Sequence, residues 1–347
     1  MPSQQRSSSG STAKAGDADG DGDAAAVSFL GDKSAKVFIA GHRGMVGSAV
    51  HRKLDALGFT NVVVRTRAEL DLACQAAVEA FFAAELPRYV ILAAAKVGGV
   101  HASSAAPAEY LTENLRITVN VVDAARRCGS VRKLLVLASS TIYPADAPQP
   151  TPESALLTGP PAAGSEWYAI PKIAGIKMCQ AVRAEYGLNA IAAAPNNLYG
   201  PRHPFPPEHS HVIPALIRRF HRAKLEGAGE VAVWGSGAAA REFTHVDDLA
   251  EAVVVLMERY SGEEHVNVGS GEEVTVRELA EAVRGVVGYE GVVAWDAARP
   301  EGVARRVVDS GRMRKLGWEP RVALRDGIQD LYRFYLRHEC GGQAHHA

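Results

Sequence analysis

The feature that most constrains this chain is a short apolar run delivered straight into a glycine-rich turn. Lys36–Ala40 (KVFIA) leads into Gly41-His42-Arg43-Gly44-Met45-Val46-Gly47, after which Val46, Val50, Leu54 and Leu57 recur at helical spacing. A strand, a tight glycine turn and a helix in that order form the phosphate-cradling start of a β-α-β unit. Gly41 is expected to permit the turn, Gly44 to let backbone approach a pyrophosphate, and Gly47 to let helix pack on strand. The free amides and positive dipole of the helix N-terminus would then face the phosphates.

The same alternation continues downstream. Strands are expected at Asn61–Arg65, Tyr89–Ala95, Lys133–Ala138 and Asn189–Ala194, with helices at Ala76–Ala84, Pro107–Arg127 and from about Tyr168. This rhythm predicts an α/β fold, a Rossmann-type doubly wound parallel sheet with right-handed crossovers. Beyond Pro195 it breaks: Pro and Gly crowd the stretch to Pro207, a helix follows over Pro214–Ala223, and later segments are shorter. A smaller α/β C-terminal substrate domain is expected there. The divisions expected are a disordered tail over 1–34, a dinucleotide-binding domain over 35–195, a mainly substrate-binding domain with some chain exchange over 196–338, and a disordered end over 339–347.

Composition excludes several function classes. Of 347 residues, 47% are hydrophobic and 22% charged, and the formal net charge is −1. A large core is possible, but no general field favours nucleic acid or an anionic membrane. No apolar run approaches the ~20 residues of a membrane span. The N-terminal DADGDGD lacks the glutamate that would close a calcium loop, since Ser28 stands there. Cys74, Cys128, Cys179 and Cys340 have no metal-ligand spacing, so no metal is expected, and reduced thiols in the cytoplasm are.

Two further groups of residues speak to chemistry. About 20 residues past the glycine loop, a site for NAD would carry an acidic residue. Here Arg65-Thr66-Arg67 stands instead, with Arg43 in the loop, and guanidinium groups suit a 2′-phosphate. Glu69 and Asp71 follow the strand end and read as solvent-facing. NADP(H) is therefore the expected cofactor. Tyr168 and Lys172, spaced YxxxK, fall on one helix face. A nearby ammonium is expected to lower the tyrosine pKa and make Tyr168 a proton donor to a carbonyl oxygen. Ser139 or Ser140 could hydrogen-bond the same oxygen. Pro171 belongs in a first turn, so the helix should start at or just before Tyr168.

Read together, VFIAGHRGMVGSAV, RTRAELDL, LAAAKVGG, SSTIYP, EWYAIPKIAGIKMCQ, NNLYGP, SHVIPALIRRFH, VWGSG, REFTHVDDLAEAV and NVGSG resemble the GDP-L-fucose synthase family of extended short-chain dehydrogenases, plant members most of all. The likeness runs from about Lys36 to Leu336. It implies a homodimer that epimerises a GDP-4-keto-6-deoxy sugar at carbons 3 and 5 and then reduces its 4-ketone with NADPH. By that likeness Tyr168, Lys172 and Ser139 are the catalytic triad and His211 an acid/base group in epimerisation. Arg219, Trp234, Arg241 and Glu301 would bind the GDP-sugar. The implied cofactor site comprises Gly41, His42, Arg43, Gly44, Met45, Val46 and Gly47; Arg67, Ala68, Glu69, Leu70, Asp71 and Leu72; Leu137, Ala138, Ser139, Ser140 and Lys172; and Pro195, Asn196, Asn197, Leu198 and His211.

The departures cluster at the substrate side. Thr141 stands where the family has a cysteine, and a thiol reaches thiolate near neutrality as a hydroxyl does not. Glu301 replaces an aspartate before a tract that reads Gly302-Val303-Ala304-Arg305-Arg306, Ser103-Ser104 replaces an asparagine pair, and Asn196 a threonine. Three readings follow: an epimerase-reductase of this family with epimerisation in question at Thr141, a reductase or epimerase of another nucleotide sugar, and a cofactor-binding paralogue with little catalysis.

Overall fold

The computed structural model describes residues 28–206, 210–298 and 303–340. The first half runs β1 (Val37–Ala40), α1 (Met45–Ala56), β2 (Val62–Val64), α2 (Gln75–Glu85), β3 (Tyr89–Leu92), α3 (Val100–Ala105), α4 (Pro107–Cys128), β4 (Lys133–Leu137), α5 (Glu166–Tyr186) and β5 (Asn189–Pro195). Then follow β6 (Asn197–Tyr199), α6 (Val212–Glu226), β7 (Glu230–Trp234), β8 (Ala240–His245), α7 (Val246–Arg259), β9 (Val266–Val268), β10 (Glu273–Thr275), α8 (Val276–Val287), β11 (Val292–Asp296), β12 (Arg305–Arg306), α9 (Gly311–Lys315) and α10 (Leu324–Tyr335).

Six strands form one parallel sheet in the order β2-β1-β3-β4-β5-β9. Its strands are nearly continuous apolar runs because both faces are covered. Alternate residues serve opposite layers: Phe38 packs with α2, α4 and α5 through Val78, Phe82, Val121 and Ile176. Val37 and Ile39 pack with α1 and α7 through Val50, Leu54, Leu249 and Val253. The strand order reverses between β1 and β3, and crevices at the carboxyl ends of such a switch are where ligands bind in open α/β sheets. A third core, built on Phe220, Leu279, Val283, Ile328 and Leu331, holds the second unit together.

The expected strands and helices of the first half are present, with ends moved by a few residues. Chain exchange is also found. α7 and β9 return to the first sheet after β6 to β8 have entered the second unit. Met313 and Trp318, far along the chain, are buried against that first layer too. Two tail boundaries need correction. Phe29 is 3% exposed, with its ring 4.8 Å from Phe59 and 4.9 Å from Tyr89, and Leu30 N–H reaches Glu258 Oε2 at 2.8 Å. Order therefore begins before residue 34, because an aromatic anchor lies inside the expected tail. At the other end Glu339 and Cys340 continue a helical turn over Leu336–Cys340.

Candidate active site

The turn after β1 follows the demands of its glycines. Gly41 has φ +93°, and a Cβ there would stand 2.7 Å from Ala94 N; a Cβ on Gly47 would stand 2.2 Å from the Gly41 carbonyl oxygen. Both positions are closed by backbone. Gly44 differs: a Cβ there would meet only the Gly41 oxygen at 3.5 Å, so the space above it is open. Gly44 also caps α1 without any side-chain hydrogen bond, leaving the first amides of the helix without a side-chain acceptor. An open cradle of amides in the turn that carries Arg43 fits a dinucleotide pyrophosphate. His42 Nδ1 is buried without a partner, and burial lowers its pKa. Met45 and Val46 begin the helix half-buried.

The segment after β2 is more committed than its sequence suggested. Arg65 donates to Glu85 Oε1 at 2.5 Å and to the Val64 carbonyl at 2.8 Å, while its guanidinium lies over Phe81. Arg67 is exposed but pairs with Glu113 at 2.8 Å. Glu69 accepts from the Thr66 amide at 2.7 Å and hydroxyl at 2.8 Å, and Asp71 from the Ala73 amide at 3.0 Å, so both close the local turn. Ala68 is exposed, Leu70 is core, and the Leu72 carbonyl receives Asn120 at 2.9 Å.

The carboxyl end of β4 is where the catalytic candidates meet. Lys172 is 8% exposed, and its Nζ donates to the Leu137 carbonyl at 2.8 Å while lying 5.5 Å from the centre of the Tyr168 ring. Ala138 N bonds the Ala193 carbonyl at 2.7 Å, fixing the strand end from which Ser139, Ser140 and Thr141 project. Ser139 Oγ accepts from the Thr141 amide at 3.3 Å, and the Thr141 hydroxyl is buried with no hydrogen-bond partner. One expectation is overturned. Burial raises the Tyr168 pKa rather than lowering it, and burial pushes Lys172 down to about 8. The ammonium is engaged by a backbone carbonyl and offers the phenol too little to offset its desolvation. A phenol held protonated is still a competent proton donor.

α5 begins at Glu166, which places Pro171 inside the helix rather than in its first turn. The nitrogen of a proline cannot donate, so the carbonyl a turn earlier, on Trp167, loses its helical partner.

Pro195 and Asn196 close β5, where Asn196 N bonds the Val268 carbonyl at 3.0 Å; Asn197 donates to the Glu242 carbonyl at 3.0 Å, and Leu198 packs on the sheet. His211, at the start of α6, is exposed; the surrounding protein lowers its pKa by desolvation, an effect its exposure limits. Its Nδ1 lies 2.9 Å from Nε2 of His203, which is 3% exposed. His203 and Arg202 were not foreseen. They line a cavity of about 320 Å³ with Arg43, Pro204, Phe334, His338 and Glu339. A histidine in the proline-rich loop shortly before His211 was the available signal. Arg219 donates to the Ala232 carbonyl, and Arg241 to the Ala240 carbonyl at 2.7 Å. Trp234 is 54% exposed, a flat surface rather than core. Glu301 lies outside the described residues.

Comparison with known proteins agrees with this geometry. The NAD dependent epimerase/dehydratase family matches residues 37–269. The chain is 99% identical to a rice (Oryza sativa subsp. japonica) GDP-L-fucose synthase over 347 residues, 100% of each. It is 59% identical to GDP-L-fucose synthase 1 of Arabidopsis thaliana over 314 residues, 90% of this chain and 97% of that one. Among solved structures, a GDP-mannoheptose C4 reductase from Campylobacter jejuni with NADP bound superposes with a TM-score of 0.80 at 36% identity, covering 87% of this chain and 98% of that one.

Proposed function

The chain belongs to the GDP-L-fucose synthases of the NAD dependent epimerase/dehydratase family, and from that premise we propose that it converts GDP-4-keto-6-deoxy-D-mannose to GDP-L-fucose. The conversion comprises epimerisation at carbons 3 and 5 and NADP(H)-dependent reduction of the 4-ketone. The observation that carries the reading is the bond from Lys172 to the Leu137 carbonyl, which ties the Tyr168 helix to the strand end bearing Ser139 and Thr141.

When bound, NADPH supplies hydride to carbon 4. The residues of the chain do the rest. Gly44 and the open amides of α1 receive the pyrophosphate, and Arg43, with Arg67 once released from Glu113, receives the 2′-phosphate. Tyr168 gives its phenolic proton to the developing alkoxide. Lys172 supplies the ammonium that the resulting phenolate needs, and Ser139 holds the ketone oxygen by hydrogen bond. In epimerisation His211 serves one face of the sugar. Thr141 faces the other with a hydroxyl that can position water but is a poor base, so epimerisation is the slower half of the reaction. Trp234 offers a flat apolar face to the nucleotide, and Arg219 and Arg241 grip its diphosphate; the likeness to the family adds Glu301 as a further substrate-binding residue.

Homodimerisation is part of the same proposal, supported by the family and by Val119 and Ile170, 43% and 42% exposed on the adjoining helices α4 and α5. A cytoplasmic setting is supported by four free cysteines. Among the described residues no helix is long and apolar enough to cross a membrane.

Incubation of the purified chain with NADPH and GDP-4-keto-6-deoxy-D-mannose, with the product identified by NMR, tests the proposal. GDP-L-fucose is expected, accompanied by unepimerised GDP-6-deoxyhexose. An unepimerised product alone would make the chain a reductase, and recovery of unchanged ketone would make it a cofactor-binding relative.

A further inference from the structure

We propose that His203 is a positioning residue for His211: it holds Nδ1 of His211 from the buried side and leaves Nε2 as the nitrogen that trades protons with the sugar. This rests on the role given to His211 above. The contact is built, not incidental. His203 Nε2 lies 2.9 Å from His211 Nδ1, with ring centres 5.0 Å apart and planes 59° apart. His203 is 3% exposed while His211 is open to solvent, so one ring backs the other. Backbone fixes the backing ring. Gly200 and Arg202 take φ +140° and +67°, the His203 amide bonds the Gly200 carbonyl at 3.1 Å, and Pro204 restricts the backbone of the residue before it, His203 itself.

The chemistry follows from counting protons. To act as a base, His211 must keep its proton on Nδ1 and present a lone pair at Nε2; to act as an acid it carries protons on both nitrogens. Either way Nδ1–H donates, so His203 Nε2 must accept and the single proton of His203 must sit on Nδ1. That atom is buried without a hydrogen-bond partner. In the opposite tautomer His203 donates, and His211 then shows a neutral N–H to the sugar and cannot abstract a proton. The side of the His203–His211 bond on which the shared proton rests therefore decides whether His211 is a base. Burial, and then His211 itself, push the His203 pKa down to about 3, so it backs His211 as a neutral ring. It lends no negative charge to an imidazolium, as a carboxylate in its place would. Among the described residues, the other titratable or charged groups lining the same cavity are Arg43, Arg202, His338 and Glu339.

The test is a pH titration of the full-length chain, labelled at histidine Cε1 and followed by NMR, with His211→Gln used to assign the His211 signal. Deuterium incorporation into the GDP-keto sugar is measured across the same pH range. His203→Asp is expected to raise the His211 pKa by about one to three units, with the acidic limb of the exchange profile moving alongside. His203→Asn, a hydrogen-bonding partner without charge, should leave it close to the native value. If His211 titrates at one pH in all three proteins, the proposal is overturned. Should the aspartate variant not fold, the native chain decides, because a His203 signal that titrates between about pH 5 and 8 is incompatible with a neutral backing ring. If the native chain exchanges no sugar protons at all, the proposed function fails, while the titration still settles what His203 does to His211.

Discussion

At the scale of single residues, the two half-reactions should come apart under mutation. Thr141 has a buried hydroxyl with no partner, so a cysteine thiol of similar size can replace it without breaking a hydrogen bond. A thiol, with a pKa of about 8.5, is also a far better base. Thr141→Cys is expected to speed solvent-deuterium exchange into the sugar and enrich GDP-L-fucose. Tyr168→Phe should cut reduction by about 10² or more while leaving exchange near native. Fast native exchange that cysteine does not improve would show that another group is the base. Charge placement gives a second expectation. Arg67 must leave Glu113 to reach a phosphate, whereas Arg43 makes no ion pair among the described residues. Calorimetry should therefore find that Arg43→Ala weakens NADPH by roughly 1.5–3 kcal/mol and Arg67→Ala by less. The reverse order would return the main phosphate contact to Arg67. The sequence showed that arginines stand here; it did not show which are spent, since Glu85 and Glu113 are distant in the chain.

At the scale of elements, legibility followed locality. β1, its glycine turn and α1 could be read because strand, turn and helix each signal within a few residues. The sheet strands were legible for the same reason, being short apolar runs between helices. β6, β8 and β12 gave little signal because their pairings are with remote segments, and β12 is Arg305–Arg306 alone. Pro171 misled for a related reason: local propensity puts proline in a first turn, and packing of α5 overrides it. The glycine turn allows a discriminating test. A Cβ at Gly47 would overlap backbone at 2.2 Å, whereas one at Gly44 meets ordinary contact at 3.5 Å. Gly47→Ala should lower stability by about 1–3 kcal/mol, the usual cost of overpacking. Gly44→Ala should unfold as the native chain does and yet bind NADPH more weakly. If Gly44→Ala binds normally, the pyrophosphate does not lie over that residue.

At the scale of the whole molecule, the two units are joined by the chain crossing between them several times, and Asp248 holds one of those crossings. It belongs to α7, which packs on the first sheet, and is 5% exposed. Its two carboxylate oxygens accept the amides of Arg321 and Val322 at 3.0 Å each, and its own carbonyl accepts Trp318 Nε1 at 3.1 Å. Those amides belong to the strap by which the chain leaves the first unit, after Met313 and Trp318, and enters α10 in the third core. None of this was legible beforehand, because one aspartate beside another in HVDDLA gives no hint that it reaches residues so far along the chain. Removing the carboxylate leaves two amides to find new acceptors. At about 1.5–3 kcal/mol for each bond to a charged group, Asp248→Ala should lose about 3–6 kcal/mol, a large share of the margin of any folded chain. Asp248→Asn keeps one acceptor and turns its NH2 toward the other amide, so it should lose less than alanine but more than a surface change. Urea unfolding followed by far-ultraviolet circular dichroism measures this directly. A midpoint for Asp248→Ala equal to the native one would mean that water satisfies the strap amides and that apolar packing alone joins the two units.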